Sequence, residues 1–278
     1  MNDKIRRDEL LQEYWSTISM ANPKEAITLE SSNAESGAEF HVYGVRIAER
    51  FLNVVDKYGA TPFAWSTMID IGCGIGRFAL PFSCRFQHVY AVDISKKILG
   101  EAKNYCQSVS DISYHVNDGE SLKEFTEGSI DYAFCGGVLQ HIKYFDVIAS
   151  YFREAIRVLR VGGLFAASFQ IWQSEDIGRG RIGAKITAQK LERALTSTPY
   201  KIRYMLIDPK DPMPHCMLIL QKTESVDEDD PNRLFSQFAV DDGAFRTGVF
   251  EDLPSCVALV EKWKQQPRPI TFYDEGNG

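Results

Sequence analysis

Short strand-like runs alternate with amphipathic runs from Ser66 onward, and this alternation constrains the fold more than any other feature of the chain. Such a pattern is typical of a mostly parallel sheet covered by helices on both faces. The strand-like runs are STMIDI (66–71), HVYAVDI (88–94), ISYHV (112–116), SIDYAFC (129–135) and LFAASFQ (164–170). We therefore predict five strands, each followed by a turn or a helix.

Two further strand-like runs follow a helical run over 184–195. They are KIRYMLID (201–208) and HCMLILQK (215–222), joined by the proline-rich PKDPMP. A parallel return needs a crossover of about a dozen residues or more, so these two runs should be antiparallel neighbours. The predicted fold class is α/β, with a doubly wound, mostly parallel sheet of seven strands that ends in an antiparallel hairpin strand.

The segments on either side of the sheet suggest three parts. Phe40, Tyr43, Ile47, Phe51 and Val55 recur at spacings of three and four, which is typical of one apolar helix face, and another helix is predicted over roughly Lys4 to Ile18. After Lys222 comes the acidic stretch ESVDEDD. We expect an N-terminal helical lid over 1–58, a core over 59–223 and a C-terminal extension of open role over 224–278.

Composition argues against several classes of protein. The chain has 278 residues, 44% of them hydrophobic, which is enough for a sizeable core. Its net charge of -7 argues against a nucleic-acid partner. A charged amino terminus and the lack of a long apolar run predict no secretory signal, no membrane span and a cytoplasmic location. The cysteines at 73, 84, 106, 135, 216 and 256 form no CxxC pair, which predicts buried thiols and no metal site.

The strongest motif is DIGCGIG (70–76), which follows the first predicted strand and precedes a helical run. Glycines there let the backbone turn sharply and let a ligand approach without a Cβ in the way. A dinucleotide fingerprint has the spacing GxGxxG, but Arg77 stands where its third glycine would fall. This difference argues against a nucleotide-dependent oxidoreductase.

Acidic residues follow the next two predicted strands. Asp93 lies 21 residues beyond Gly72, where a carboxylate can accept hydrogen bonds from both hydroxyls of a ribose. By itself, Asp93 could equally cap the helix of SKKILGEA. The sequence NDG (117–119) follows the third strand and, by itself, is a common turn. The order of these motifs is more specific than any one of them.

Together with DYAFCGGVLQH (131–141) and RVLRVGG (157–163), these motifs resemble those of class I, Rossmann-like methyltransferases over roughly 60–222. The resemblance implies that S-adenosylmethionine is the cofactor, with the acid of NDG accepting from the adenine amino group and Asp70 near the positive methionine end. The implied cofactor-binding residues are Asp70, Gly72, Cys73, Gly74, Gly76, Asp93, Ile94, Asn117, Asp118, Gly119, Cys135 and Gly136.

His141 is the candidate catalytic residue, because the resemblance places it on the reacting side and histidine titrates in the range useful for a general base. With equal weight, it holds its loop or touches the cofactor without moving protons. Arg179 and Arg181 suggest an anionic acceptor, against the alternative of a solvated loop.

The expected reaction is methyl transfer to an oxygen or nitrogen of a small-molecule acceptor, by in-line displacement. A protein or peptide acceptor is the alternative within the enzyme class. A non-catalytic module that only binds S-adenosylmethionine is the alternative outside it.

Overall fold

The structure, a computed structural model, describes residues 37–59, 63, 66–172, 183–207, 215–230 and 233–235. Several sequence predictions fall outside these residues and stay predictions. They concern the helix over Lys4 to Ile18, Arg179 and Arg181, the PKDPMP loop and Cys256.

Helices and strands alternate along the described residues. The helices are α1 (Gly37–Val55), α2 (Ala79–Ser83), α3 (Lys96–Tyr105), α4 (Phe145–Val158) and α5 (Ala188–Ala194), with one turn of 3-10 helix over Leu139–His141. The strands are β1 (Thr67–Ile71), β2 (His88–Asp93), β3 (Ile112–Val116), β4 (Ile130–Gly136), β5 (Leu159–Gln170), β6 (Tyr200–Ile207) and β7 (His215–Lys222).

The seven strands form one sheet in the order β3-β2-β1-β4-β5-β7-β6. Pairs among the first five strands are parallel, whereas β7 is antiparallel to both β5 and β6. The predicted fold class is therefore confirmed, including the terminal hairpin. The chain runs outward from β1 to β3 and then returns to β4 on the other side of β1. This reversal opens a crevice at the carboxyl ends of β1 and β4, where open α/β sheets bind their ligands.

Most element boundaries agree with the sequence prediction, and two differ. Strand β5 begins at Leu159, five residues before the predicted run, because Leu159 pairs with Ile130 and extends the strand through a glycine-containing stretch. Helix α5 begins at Ala188 instead of 184, because Thr187 caps it by accepting a hydrogen bond from the amide of Lys190 (3.2 Å).

Both faces of the sheet carry an apolar core, as expected for strands that helices cover on both sides. Neighbouring residues of β5 point to opposite faces. Phe165 packs into the core on one face, called the first core, and Leu164 packs into the core on the other face, called the second core. Helices α4 and α5 cover the first face, and α1, α2 and α3 cover the second. Each fully buried large apolar side chain contributes about 1.5 to 3 kcal/mol of favourable transfer free energy.

Helix α1 packs Ile47, Phe51 and Val55 of its predicted apolar face against the second core, whereas Tyr43 is 41% exposed. The ring of Phe51 lies 5.3 Å from that of Phe82 and 5.1 Å from that of Phe134, at the tilted angles that aromatic pairs favour. Val45 and Val55 are also fully buried. This part of the expected lid is thus built into the core. Closure by residues 1–36, which lie outside the described residues, stays a prediction.

Two further observations concern the cysteines and the length of the apolar helices. Cys73, Cys84, Cys106, Cys135 and Cys216 are all buried free thiols. No helix in the described ranges is long and apolar enough to cross a membrane.

Residues beyond the acidic stretch return to the core. Arg233 is 7% exposed, and its guanidinium donates hydrogen bonds to four carbonyl oxygens that follow α5. These belong to Leu195, Thr196, Thr198 and Tyr200, at 2.9 to 3.3 Å. Phe235 is 1% exposed and belongs to the first core. The beginning of the C-terminal extension is therefore integrated into the sheet's own packing.

We predict that Arg233→Ala lowers the free energy of unfolding by about 2 to 4 kcal/mol, because several buried carbonyl oxygens lose a charged donor. Leu234→Ala is the control, since Leu234 is exposed, and it should change stability by less than about 1 kcal/mol. Urea unfolding followed by circular dichroism measures both. Equal stability of the two variants would contradict the structural role of Arg233.

Candidate active site

The glycine-rich sequence forms the loop between β1 and α2 at the sheet's crevice. Gly72, Gly74 and Gly76 all have positive φ values, of 70°, 54° and 88°. The amides of Gly72 and Cys73 both donate to the carbonyl oxygen of Val92, at 2.8 and 2.9 Å. These bonds join the loop to the end of β2, and helix α2 begins at Ala79.

Gly72 also touches the loop that follows β4. A Cβ added at Gly72 would lie 2.5 Å from a methyl carbon of Val138. Gly136, at the end of β4, is similarly enclosed, because a Cβ there would lie 2.5 Å from the ring of Phe134. The loops after β1 and β4 therefore approach each other closely at Gly72, where a side chain would collide with Val138.

Asp70 is a fully buried carboxylate directly below the glycine loop. Neither of its oxygens has a hydrogen-bond partner among the described residues; the amide of Ala79 is close enough to favour the charged form without completing such a bond. Burial, followed by the nearby charge of Asp93, raises the pKa of Asp70 to about 7, against the opposing effect of Arg77. Buried polar groups in proteins nearly always have a partner, so this carboxylate indicates a place for a positive group.

Asp93, at the end of β2, joins the glycine loop. Its Oδ2 accepts from the amide of Gly74 (3.1 Å) and its Oδ1 from the amide of Ser95 (2.9 Å). Burial raises the pKa of Asp93, although these amide bonds oppose the shift. The cap of helix α3 is Ser95, whose hydroxyl accepts from the amide of Ile98 (3.3 Å). Asp93 is thus not the side chain that caps this helix.

The NDG sequence lies beside Asp93, because the amide of Asn117 donates to the Asp93 carbonyl oxygen (3.1 Å). The side-chain amide of Asn117 donates to the hydroxyl of Tyr151 (2.9 Å) and to the carbonyl oxygen of Ser121 (3.2 Å). Gly119 has a φ of 85°, and a Cβ there would lie 3.4 Å from a methyl carbon of Ile94. Ile94 and Gly119 therefore face each other across the end of β2 and β3.

Asp118 uses its carboxylate to hold its own loop. Oδ1 accepts from the amides of Glu120 (3.0 Å) and Ser121 (2.7 Å), and Oδ2 accepts from the Ser121 hydroxyl (2.8 Å) and from Lys123 (3.0 Å). Burial by itself would raise the pKa of Asp118, but these bonds lower it to about 2. A carboxylate has about four acceptor positions, so all of them are filled.

The loop after β4 carries His141. Cys135 is fully buried, and burial raises the pKa of its thiol, which excludes it as a thiolate nucleophile. The amide of His141 donates to the carbonyl oxygen of Val138 (2.9 Å), the residue that touches Gly72. His141 is therefore one short turn away from the glycine loop, on the β4 side of the crevice.

Residues 183–187, a segment without regular secondary structure that we call the strut, lie against the loop that carries His141. The amide of Ala184 donates to the carbonyl oxygen of Ile142 (2.7 Å), and the amide of Trp172 donates to that of Ile186 (2.8 Å). A Cβ at Gly183 would collide with the carbonyl oxygen of Gln140. The strut thus joins the end of β5 to the loop that carries His141.

Arg77 joins the other side of the loop to α1. Its guanidinium carbon lies 4.7 Å from the ring centre of Tyr43 and 4.9 Å from that of Phe78. A Cβ at Gly44 would lie 2.5 Å from the carbonyl oxygen of Arg77. Helix α1 therefore lies directly against the end of the glycine loop, as part of the wall of the site.

The residues named from the sequence thus lie along one edge of the sheet, at the ends of β1 to β4. Their chemistry fits S-adenosylmethionine, because a buried carboxylate that has no hydrogen-bond partner in the described part of the chain suits a positive group, and the glycine backbone leaves room for close approach. Sequence reasoning missed three supporting residues, Val138, Tyr151 and Gly183. Gly183 lies in a glycine-bearing segment that drew attention only for its arginines, whereas no sequence signal distinguishes Val138 or Tyr151.

Comparisons with known proteins agree with this geometry. The sequence profile of the methyltransferase domain family matches residues 69–167. Methyltransferase AacuQ of Aspergillus aculeatus is 32% identical over 129 residues, covering 46% of this chain and 39% of that protein. A ubiquinone biosynthesis O-methyltransferase of Caulobacter vibrioides is 28% identical over 142 residues, covering 50% of this chain and 55% of that protein. The chain thus matches only about half, or less, of the length of these relatives.

The fold has counterparts among solved structures. Magnesium protoporphyrin IX methyltransferase from Synechocystis, solved with bound S-adenosylhomocysteine, superposes with a TM-score of 0.58 at 16% identity. The superposition covers 77% of this chain and 99% of that one. The resemblance inferred from the motifs is confirmed: residues 69–167 match the methyltransferase domain family, and the chain has the fold of class I, Rossmann-like methyltransferases.

Proposed function

We propose that the protein binds S-adenosylmethionine at the crevice between β1 and β4 and transfers its methyl group to an oxygen or nitrogen of a small-molecule acceptor. The single observation that carries this proposal is Asp70, a fully buried carboxylate without a hydrogen-bond partner among the described residues, below a loop whose glycines leave room for a ligand. The family assignment and the order of the motifs support it.

When bound, S-adenosylmethionine supplies a methyl group on a positively charged sulfonium, which is already a good electrophile. Asp70 supplies negative charge to the positive methionine end of the ligand. Asp93 accepts hydrogen bonds from the ribose hydroxyls, because a carboxylate has about four acceptor positions and backbone amides fill only part of them. Ile94 and Gly119 provide an apolar wall for the adenine.

Asp118 needs a change of partner to bind the adenine amino group, because its acceptor positions are filled within its own loop. The bond to Lys123 is the weakest of them, since the Lys123 side chain is 65% exposed and surface ion pairs contribute little. We infer that the adenine amino group replaces Lys123 on Oδ2, and that the bonds to Ser121 remain.

His141 acts as the general base in this proposal. A hydroxyl or a protonated amine must lose a proton when it is methylated, and His141 lies on the opposite side of the glycine loop from Asp93 and the NDG turn. The strut over residues 183–187 positions its loop through the bond between Ala184 and Ile142. The protein's contributions to the reaction are therefore to align the acceptor and to remove its proton.

A small-molecule acceptor is favoured over a protein by what similar proteins act on. The Caulobacter relative is a ubiquinone biosynthesis O-methyltransferase, and the Synechocystis neighbour acts on a porphyrin. The net charge of the chain, -7, also argues against nucleic acid. A protein acceptor would be favoured by turnover of peptides in place of small phenols or amines.

We predict that S-adenosylhomocysteine binds at micromolar strength by titration calorimetry, and that its affinity falls about fivefold from pH 7 to pH 6. The reason is that Asp70, with its pKa raised to about 7, must release its proton to meet the ligand's ammonium group, which stays protonated throughout this pH range. Asp70→Asn should bind at least tenfold more weakly at pH 7, with little pH dependence over this range.

The same substitution has an opposite effect on stability. Because the folded-state pKa of Asp70 is raised, the unliganded protein loses stability as pH rises from about 4 to about 7, and Asp70→Asn removes that loss. The variant should therefore melt at a higher temperature than the parent at pH 8. Absence of binding by the folded parent would refute the proposed function, and an unchanged pH dependence in the variant would refute the role of Asp70.

We predict that Gly72→Ala weakens S-adenosylhomocysteine binding at least tenfold and lowers the free energy of unfolding by about 1 to 3 kcal/mol. The alanine must adopt a positive φ of 70° with its Cβ against Val138. The control is Gly100→Ala, since Gly100 lies inside α3 with open space around it, and alanine there should stabilise by up to about 1 kcal/mol. Calorimetry and urea unfolding measure both, and similar behaviour of the two variants would contradict the loop's role.

We predict that His141→Ala reduces the turnover rate by about 10² to 10⁴ and leaves the dissociation constant of S-adenosylhomocysteine within about threefold. The measurements are product formation with an accepted substrate and calorimetry on the same preparation. The acidic limb of the parent's pH profile should disappear in the variant. Parallel loss of cofactor binding and rate would instead make His141 a cofactor-binding residue.

A further inference from the structure

A buried pair of polar side chains joins α4 to the loop that follows β3. The side-chain amide nitrogen of Asn117 donates one hydrogen bond to the hydroxyl of Tyr151 (2.9 Å) and another to the carbonyl oxygen of Ser121 (3.2 Å). Both hydrogens of the amide are therefore used. Because the carbonyl oxygen of Ser121 can only accept, the orientation of the amide is fixed. Asn117 is 4% exposed and Tyr151 is 5% exposed, so the pair lies inside the protein.

The oxygen of the same side-chain amide is left without a partner. Asn117 Oδ1 is buried and accepts no hydrogen bond in the part of the chain that the structure describes. It cannot exchange places with the amide nitrogen, since the bond to Ser121 would then be lost. Buried polar atoms in proteins are nearly always paired. The oxygen therefore indicates a place for a hydrogen-bond donor of a ligand.

Asn117 lies where the proposed contacts to ribose and adenine meet. Its backbone amide donates to the carbonyl oxygen of Asp93 (3.1 Å), the residue assigned to the ribose. Asp118, the residue assigned to the adenine amino group, follows it directly. Burial raises the pKa of the Tyr151 hydroxyl, and the nearby charges of Asp93 and Asp118 add to the shift. The hydroxyl is therefore close to both carboxylates of the proposed cofactor contacts.

We propose that Asn117 Oδ1 accepts one hydrogen of the adenine amino group, and that Tyr151 is a positioning residue that acts by orienting Asn117. This inference rests on the proposed function, because it concerns the same cofactor. An amino group has two hydrogens; Asp118 accepts one in place of Lys123, and Asn117 accepts the other. Selectivity for a base with an amino group then depends on a tyrosine hydroxyl that comes from a helix in the first core.

The test compares S-adenosylhomocysteine with the analogue that lacks its 6-amino group, each titrated by calorimetry into the full chain. The parent should bind S-adenosylhomocysteine about 10- to 100-fold more tightly than the analogue, since the analogue leaves Asn117 Oδ1 unpaired. Tyr151→Phe removes only the hydroxyl, so the Asn117 amide can turn about its remaining bond to Ser121. The ratio of the two dissociation constants should fall about three- to tenfold, while the constant for the analogue stays within about twofold of the parent's.

Asn117→Ala tests whether Tyr151 acts through Asn117. It should lower the ratio at least as much as Tyr151→Phe does. The variant with both substitutions should have the ratio of Asn117→Ala alone, because the hydroxyl has nothing to orient once the amide is gone. Additive losses in the double variant would overturn the positioning role of Tyr151.

Tyr200→Phe is the matched control. The Tyr200 hydroxyl is also buried and makes a hydrogen bond, to the carbonyl oxygen of Arg233 (3.1 Å), but Tyr200 begins β6 at the far edge of the sheet. This variant should lower the melting temperature about as much as Tyr151→Phe and keep the parent's ratio. An unchanged ratio in Tyr151→Phe, or an equal fall in Tyr200→Phe, would overturn this inference alone. Binding of neither ligand by the folded parent would overturn it together with the proposed function.

Discussion

The site depends on the hydrogen bond from the amide of Gly74 to the carboxylate of Asp93. It joins the loop after β1 to the end of β2, and the paired bonds to Val92 reinforce the connection. Held in this way, the glycine loop covers Asp70 and keeps water away from it. Burial then keeps Asp70 close to neutrality in the free protein. A ligand with a positive group would supply the hydrogen-bond partner that the Asp70 carboxylate lacks among the described residues.

Much of the fold could be predicted from the sequence because strands buried on both faces appear as short apolar runs between polar turns. β3 and β7 match their predicted runs residue for residue. The beginning of β5 could not be predicted, since Gly162 and Gly163 have low strand propensity. Leu159 pairs with Ile130, and the residues between Leu159 and Leu164 form an irregularity in the pairing with β4. The strut before α5 has a helix-like sequence, but its backbone pairs with Ile142 and Trp172 instead.

The order of the motifs predicted which residues lie at the candidate site, but it did not predict their hydrogen-bond partners. Nothing in NDG indicates that Asp118 accepts four hydrogen bonds from its own loop, or that Asn117 donates to Tyr151 of α4. Such contacts join residues that are distant in sequence, and only the packing of helix on sheet brings them together. The same holds for Gly183, whose importance comes from the Gln140 carbonyl oxygen beside it.

The return of Arg233 and Phe235 to the core has a consequence for how the polypeptide behaves when it is cut. Residues 224–230 are the acidic stretch between the last strand and this anchor, and most of them are exposed. A protease that cleaves there would break the backbone, but the two fragments would stay associated. The smaller piece would remain attached through the buried guanidinium and the Phe235 ring, so the nicked protein would migrate as one particle under native conditions and as two fragments after denaturation.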